Sequence, residues 1–311
     1  MLLWIIFPIL AAGDQFSNQI YNYVPYRQYD ELIQKSSQDN REYLGLELNN
    51  KLQVLLVSDP KAIKGGVALS VASGANDDPD EIPGMAHFCE HLILMGSKKY
   101  PSPTEFKDFL AATGGERNAG TTRDYTVYFF DVEHWALDGA MDLFSQFFVA
   151  PKFDEAEVLR EATAVDFEYQ RANGWSSFAF DQAVFAGLNS THKAARFFIG
   201  TYNTLITEPD KMGMDIREKV VSHYTKHYSS NIMHLVVSGK EDIETLKEMV
   251  IPRFSHIPNR NLVPTNVGSP FNNLGTNVIV DPEKDKNEIT IAFVINPIPY
   301  SRYQTTLKFL R

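Results

Sequence analysis

Alternating apolar and polar residues predict most of the strands in this chain. Residues 43–48 (YLGLEL) and 52–57 (LQVLLV) show this pattern on either side of Asn49-Asn50, two residues of a type common in turns. The two runs therefore predict a β-hairpin. Further strand candidates, each a short apolar or alternating run, are 67–71, 125–132, 233–238, 277–280 and 288–294.

Helical periodicity occupies the intervals between these strands. Residues 85–95 (MAHFCEHLILM) follow Pro83-Gly84 and precede Gly96, and proline near a helix start with glycine past its end is the expected punctuation. Ser102-Pro103-Thr104-Glu105 has the pattern of a capping box and predicts a helix that ends at Gly114-Gly115. The other helix candidates are 134–149, a long helix capped by Asp154, 213–224 and 241–253. Because strands and helices are mixed without strict alternation, an α+β fold is predicted.

Composition limits what such a fold can do. The 311 residues are 44% hydrophobic and 22% charged, as in ordinary globular proteins, and the formal net charge is −10. These values exclude a disordered chain and a multi-span membrane protein. The acidic balance argues against a protein that binds nucleic acid by neutralising phosphates. The single cysteine, Cys89, cannot form an internal disulfide.

The first residues indicate a compartment. Residues 2–10 (LLWIIFPIL) are apolar but far short of the roughly 20 residues that a membrane-spanning helix needs. With Ala11 and Gly13 suited to a cleavage site, they predict a signal peptide over 1–13 and a secreted protein. The basic region that usually precedes such a run is missing, so an apolar tail on a cytoplasmic protein is the alternative. Asn189-Ser190-Thr191 would be a glycosylation sequon only in the secretory path.

The clearest chemical signal is His87-Phe88-Cys89-Glu90-His91. Residues four apart lie on one face of a helix, so His87 and His91 can present two imidazole nitrogens to one cation. Glu90 lies close to the same face, where its carboxylate can reach a metal-bound water. This is the inverted form of the thermolysin-type zinc motif. The structural alternative is a pair of histidines satisfied by neighbouring groups.

Zinc hydrolases usually keep three protein ligands and one open position, so a third ligand is needed. Glu161 and Glu168 are two helical turns apart and project from nearly the same face of the long helix. Glu168 could bind the metal while Glu161 orients a ligand. From the residues alone, Glu168 is one acidic residue among many, and a solvated helix face is the favoured explanation.

A resemblance to a known family removes this ambiguity. Residues 41 to about 256 resemble the insulin-degrading-enzyme branch of the pitrilysin-type (M16, inverzincin) zinc metallopeptidases. The matching segments are REYLGLELNN (41–50), VLLVSDP (54–60), GMAHFCEHLILMGSKKYP (84–101), NAGTTRDYTVYFFDV (118–132), EATAVDFE (161–168) and YSSN (228–231). The resemblance implies a mixed, largely antiparallel sheet flanked by helices.

The same resemblance implies the site residues. One zinc ion per chain would be held by His87, His91 and Glu168, which lies 77 residues after His91 as in the family. Glu90 would be the general base that activates water, and Glu161 a supporting carboxylate in the catalytic set.

Substrate binding is also implied by the resemblance. Extended peptides would add as a strand beside Asn118-Ala119-Gly120-Thr121, which favours oligopeptides or unfolded polypeptides as substrates of an endopeptidase. Gly120 replaces a bulky residue usual in the family, so we expect a wider pocket on the carboxyl side of the cleaved bond.

The expected organisation is a leader over 14–40, a catalytic domain over 41–258, a linker over 259–275 and the beginning of a second similar domain over 276–311. Family members contain two similar halves, and the second half contributes an arginine and a tyrosine near the zinc. Arg302-Tyr303 does not match their place. The alternative function is therefore a catalytically incompetent, peptide-binding subunit that depends on a separate C-terminal half or on a second copy.

Two other features receive structural interpretations. His223 and His227 are also four apart, but they end a helix and no third ligand is evident. Cys89 lies inside the zinc motif yet points away from the face of the two histidines, so it is expected to be a buried apolar residue.

Overall fold

The structure, a computed structural model, describes residues 26–29, 33, 35–173, 184, 187 and 189–270. The predicted signal peptide, most of the leader and the expected second-domain segment 276–311 lie outside these residues. So do the strand candidates 277–280 and 288–294, and Arg302-Tyr303. Among the described residues, no helix is both long and apolar enough to cross a bilayer.

A seven-stranded mixed sheet forms the centre of the fold. Its strands are β1 (Tyr26–Gln28), β2 (Glu42–Leu48), β3 (Gln53–Ser58), β4 (Lys64–Val71), β5 (Glu116–Thr121), β6 (Thr126–Glu133) and β7 (Met233–Gly239). Their spatial order is β1-β2-β3-β7-β4-β6-β5, and only the β3–β7 pair is parallel. The predicted hairpin is β2–β3, with Glu47 opposite Gln53 and Lys51 at a φ of 70° in the turn.

Seven helices accompany the sheet in the described part of the chain. They are α1 (Met85–Ile93), α2 (Glu105–Ala112), α3 (Leu137–Val149), α4 (Glu155–Asn173), α5 (Glu208–Lys211), α6 (Ile216–His227) and α7 (Ile243–Phe254). Helices α1, α3 and α7 pack against the sheet, and α4 and α6 pack against α1. The predicted α+β class, with a mixed, largely antiparallel sheet flanked by helices, is confirmed.

Helix starts follow local hydrogen bonding, which corrects one expectation. The carboxylates of Asp215 and Asp242 accept backbone N–H groups at the starts of α6 and α7. The predicted cap at Ser102 is wrong, because α2 begins at Glu105 and Thr104 occupies the cap position without a side-chain bond. The Ser102 hydroxyl instead accepts the N–H of Thr104 at 3.4 Å, which closes a short turn before the helix.

Two strands are absent from the sequence prediction, and both lie at an edge of the sheet. β1 falls inside the expected leader and pairs with Leu46–Leu48, burying Tyr26. Among the described strands, β5 pairs with β6 alone. Its sequence ERNAGT carries no apolar alternation, because an edge strand needs little apolar surface and is often polar.

The core lies between the sheet and the helices on one face. The buried residues of β7 are Met233, Leu235 and Val237, whereas His234 and Val236 between them are exposed. An aromatic cluster joins α2 and α3 to β6, with neighbouring ring centroids 5.1–5.9 Å apart; its members are Phe106, Tyr128, Phe130, Phe144, Phe147 and Phe148. Edge-to-face contacts dominate this cluster, as aromatic quadrupoles prefer.

The start of α1 touches the loop at Gly200 backbone to backbone. Gly84 has a φ of 93°, and a Cβ added to it would lie 2.3 Å from the Gly200 Cα. Only glycine fits such an approach. This contact fixes where α1 begins relative to residues 199–200.

We expect Gly84→Ala to lower the free energy of unfolding by about 2–4 kcal/mol. The loss has two causes: alanine is strained in the left-handed conformation, and its Cβ would overlap with Gly200. Gly213 is the matched control, since its φ is 69° but a Cβ added there would have no atom within 4 Å. Gly213→Ala should cost only about 1 kcal/mol. Urea denaturation followed by circular dichroism measures both, and equal losses would contradict the role of the Gly84–Gly200 contact.

Candidate metal centre

Helix α1 is oriented by burial on one face and a carboxylate at its start. Phe88, Cys89 and Leu92 are fully buried, which leaves His87 and His91 on the opposite stripe. The buried carboxylate of Asp78 accepts the N–H groups of Gly84 at 2.8 Å and Ala86 at 2.7 Å. These bonds satisfy donors that the first turn of a helix leaves without partners.

The two histidines converge on a carboxylate from α4. Glu168 Oε2 lies 3.5 Å from His87 Nε2 and 3.4 Å from His91 Nε2, and the two rings are nearly perpendicular at 87°. The ligand atoms of these three residues all lie within 4.8 Å of one another. In the described part of the chain this is the one group of three or more such residues close enough to hold a metal ion.

The remaining ring nitrogens have their own partners. His87 Nδ1 donates to the Ile199 carbonyl oxygen at 2.7 Å, and His91 Nδ1 donates to Glu161 Oε2 at 3.2 Å. Both imidazoles, when neutral, therefore carry their proton on Nδ1 and direct the Nε2 lone pair toward Glu168. This donor set, two imidazole nitrogens and one carboxylate with oriented rings, fits a zinc ion.

The charges around His91 show that the site is built for a cation. Burial lowers the pKa of His91, but its hydrogen bonds to Glu161 and Glu168 outweigh burial and raise this pKa to about 10. Burial and the nearby charge of His91 lower the pKa of His87 to about 4. The hydrogen bond to His91 lowers the pKa of Glu168. The two carboxylates thus stabilise a positive charge at this position, carried by a proton or by a metal that replaces it.

Glu90 lies beside the three ligands but does not join them. Its side chain is buried, and burial raises its pKa to about 7. Thr121 Oγ1 donates a hydrogen bond to Glu90 Oε2 at 2.5 Å. A carboxylate with a pKa close to neutrality can accept a proton from water and give it back.

The β5 residues that were expected to bind substrate lie at the outer edge of the sheet. Asn118, Ala119, Gly120 and Thr121 pair with β6, and no strand of the described residues pairs with their other side. The structure brings Thr121 to Glu90, while the Asn118 side chain accepts the N–H of Ala119. Around Gly120 no heavy atom lies within 4 Å of the place where a Cβ would be.

Comparison with known proteins identifies the family. The model of the insulinase family (peptidase family M16) matches residues 53–197, and that of the peptidase M16 inactive domain matches residues 215–310. Together these two matches cover most of the chain. The chain belongs to the M16 peptidase family.

Full-length relatives of this M16 chain are much longer. Insulin-degrading enzyme of Homo sapiens is 41% identical over 233 residues, which is 74% of this chain and 23% of the human one. A relative from Schizosaccharomyces pombe whose name includes the words zinc protease is 37% identical over 269 residues, or 86% of this chain and 28% of the relative. A crystal structure of pitrilysin superposes with a TM-score of 0.76 at 33% identity, covering 79% of this chain and 26% of pitrilysin. The chain thus spans about a quarter of the length of these proteins.

The second family match begins within the predicted catalytic domain 41–258. It includes α6, β7 and α7, and β7 lies between β3 and β4 in the same sheet as the rest of the described chain. The proposed domain limits stay a prediction.

Several contacts at this M16 site were not expected from the sequence. Ile199 orients His87, Asp78 caps α1, and Arg160 bonds Glu161 Oε1 at 3.3 Å. The only sequence signal was an acidic residue before the helix at Asp78, a type common at helix starts. Ile199 acts through its backbone carbonyl, which no residue pattern reveals.

The residues given structural interpretations do not join the metal ligands. His223 is buried in α6 with its ring 4.7 Å from that of His227, whose Nδ1 is 3.7 Å from Asp77 Oδ1. Among the described residues this trio does not form a group close enough to hold a metal. Cys89 is fully buried, and burial raises the pKa of its thiol.

Asp78 gives the metal-free domain a pH-dependent stability. Burial raises its pKa from 3.8 to about 7, although the hydrogen bonds from Ala86 and Gly84 lower it. Since the folded state binds the proton more tightly than the unfolded state, the stabilising contribution is complete below about pH 3.8 and is lost as the pH rises through about 7.

We therefore expect the free energy of unfolding of the wild type to fall relative to Asp78→Asn between pH 4 and 7, by up to about 1.4 kcal/mol per pH unit. Urea denaturation of metal-free protein at several pH values measures the difference. Asp80→Asn, at an exposed position two residues away, is the control and should leave the wild-type pH dependence unchanged. Parallel curves for wild type and Asp78→Asn would contradict the prediction.

Proposed function

We propose that this chain carries the catalytic site of a zinc-dependent endopeptidase that hydrolyses peptide bonds in oligopeptides or unfolded polypeptides. The observation that supports this most is the convergence of His87 Nε2 and His91 Nε2 on Glu168 Oε2 within 3.5 Å. These three residues would hold one zinc ion. When bound, zinc supplies Lewis acidity that polarises a carbonyl group and makes water more acidic.

Glu90 acts as the general base and then as the general acid. Its carboxylate takes a proton from the water that attacks the peptide carbonyl carbon, and it delivers this proton to the amine nitrogen as the C–N bond breaks. Thr121 holds one carboxylate oxygen at 2.5 Å, which leaves the other oxygen for the water. Glu161 and the Ile199 carbonyl keep the two imidazole rings oriented.

The edge of β5 gives the substrate its place. A peptide in extended conformation can pair with the outward N–H and C=O groups of β5 and reach Thr121, the residue that contacts Glu90. Pairing through the backbone accepts many side chains, so the expected substrates are unfolded segments and not one sequence motif. A folded protein would have to open locally before one of its segments could bind in this way.

Two glutamate-to-glutamine variants separate chemistry from metal binding. Glu90→Gln should bind about one zinc per chain but lose cleavage of a quenched peptide by a factor of about 10² or more, because the general base is gone. Glu168→Gln should lose zinc as well, since a charged ligand is replaced by a neutral amide. Elemental analysis measures zinc, and fluorescence measures cleavage with and without a chelator. Normal cleavage by Glu90→Gln would exclude this mechanism.

A second candidate function is a peptide-binding subunit that needs a partner for turnover. It is favoured by one observation, that the chain spans about a quarter of the length of the relatives it matches. In this case zinc and peptide would bind while cleavage appears only when a C-terminal half from a relative is added. Cleavage by the purified chain alone would exclude it.

A further inference from the structure

A cavity of about 460 Å³ opens beside the metal site. It borders His87, Thr121 and Glu168, so a group held in it lies next to the reacting bond. The apolar part of its wall comes from Ala172, Phe198 and Ile199. Gly120 contributes no side chain to the wall, and the space where one would begin is open. The cavity can therefore hold a substrate side chain.

One cationic side chain lines this cavity. Arg171 follows Glu168 by three residues, so both project from the same side of α4. Arg171 is exposed, and among the described residues no hydrogen bond or close ion pair joins it to another residue; its charge contributes to lowering the pKa of Glu168. Arg160, on the same helix, is in contrast bonded to Glu161. A guanidinium group with free donors is suited to bind a carboxylate in a bidentate manner.

The charges nearby favour an anion at this position. Arg123 stacks on Phe198, with its guanidinium carbon 4.6 Å from the ring centroid, and adds positive charge behind the apolar wall. Of the described residues that line the cavity, Glu168 is the one acidic residue. Its charge is balanced when the site holds a divalent cation, so it does not repel an incoming carboxylate.

We propose that this cavity binds a carboxylate of the peptide through Arg171, with the apolar wall packing against the aliphatic part of the same residue. The inference rests on the proposed peptidase function and specifies its substrate class. The carboxylate comes from a glutamate or aspartate beside the cleaved bond or from the C terminus of the peptide. Arg171 is thus a specificity-determining residue.

Peptide binding to the zinc-loaded Glu90→Gln protein tests this assignment without turnover. A labelled peptide of neutral residues is made in four forms, with a single glutamate or glutamine and with a free or amidated C terminus. Fluorescence anisotropy then gives Kd for each. We expect the carboxylate forms to bind about tenfold more tightly, as for a hydrogen-bonded charge pair.

Replacing Arg171 should remove this preference, which is measured as the ratio of the Kd values of the glutamine and glutamate peptides for each variant. Arg171→Gln should bring the glutamate-to-glutamine ratio close to one, Arg171→Lys should keep part of it, and Arg171→Glu should favour a lysine peptide. Lys107→Gln on the exposed surface of α2 changes the net charge equally and should keep the wild-type ratio. Circular dichroism and zinc content show that each variant is folded and loaded.

The outcomes are distinguishable. If Arg171→Gln still binds the glutamate peptide more tightly than the glutamine peptide by the wild-type ratio, the assignment is overturned. If amidation of the C terminus weakens binding and the glutamate-to-glutamine change does not, the assignment is supported and the carboxylate comes from the C terminus of the peptide. Peptides that bind and are cleaved by the wild type without any carboxylate preference overturn the assignment alone. Failure of every peptide to bind or to be cleaved contradicts the proposed function as well.

Discussion

Helix α1 buries Phe88, Cys89 and Leu92 against the core, and the geometry of the site depends on this packing. A helix that buries one face against the core presents its opposite face away from the core. His87 and His91 lie on that opposite face, which is directed toward α4. Helix α4 obeys the same rule, because Ala162 and Val165 are buried while the carboxylates two turns apart face the histidines; these carboxylates belong to Glu161 and Glu168. A metal site therefore needs only two packed helices in a fixed register. The glycine contact at the start of α1 fixes that helix against the loop at Gly200, and a Cβ added to Gly200 would lie 3.3 Å from Val165 Cγ1 of α4.

Electrostatics adds a second requirement to this packing. Four carboxylates lie on or next to α1, those of Asp78, Glu90, Glu161 and Glu168, and the first three are buried. Buried charges without compensation are costly, so the domain accommodates them through helix N–H groups, through a raised pKa or through a cation. A divalent ion at the two imidazoles would neutralise the cluster at its centre. Binding of such an ion would consequently be coupled to the stability of the domain.

The features predicted from the sequence depend on local periodicity, whereas those that were missed depend on tertiary contacts. The motif on α1 and the seven-residue spacing on α4 are local, because helical periodicity alone places those side chains on one face. Ile199 and Thr121 reach the site through tertiary packing, and one of them acts through its backbone. β1 and β5 have no apolar alternation, since each pairs on one side only. The start of α2 was misplaced because Ser102 can close either a helix or a turn, and its neighbours decide which.

The composition of β5 also suits the substrate-binding role proposed for this edge. A free strand edge is a hazard for aggregation, and Glu116, Arg117 and Asn118 make the first half of β5 polar and charged. The second half, Ala119-Gly120-Thr121, is small, so an incoming backbone can approach it closely. The edge would thus be protected away from the proposed reaction and accessible beside Glu90. A hydrophobic β5 would have been easier to predict from the sequence. Such an edge strand could, however, pair with any exposed strand at any position along its length.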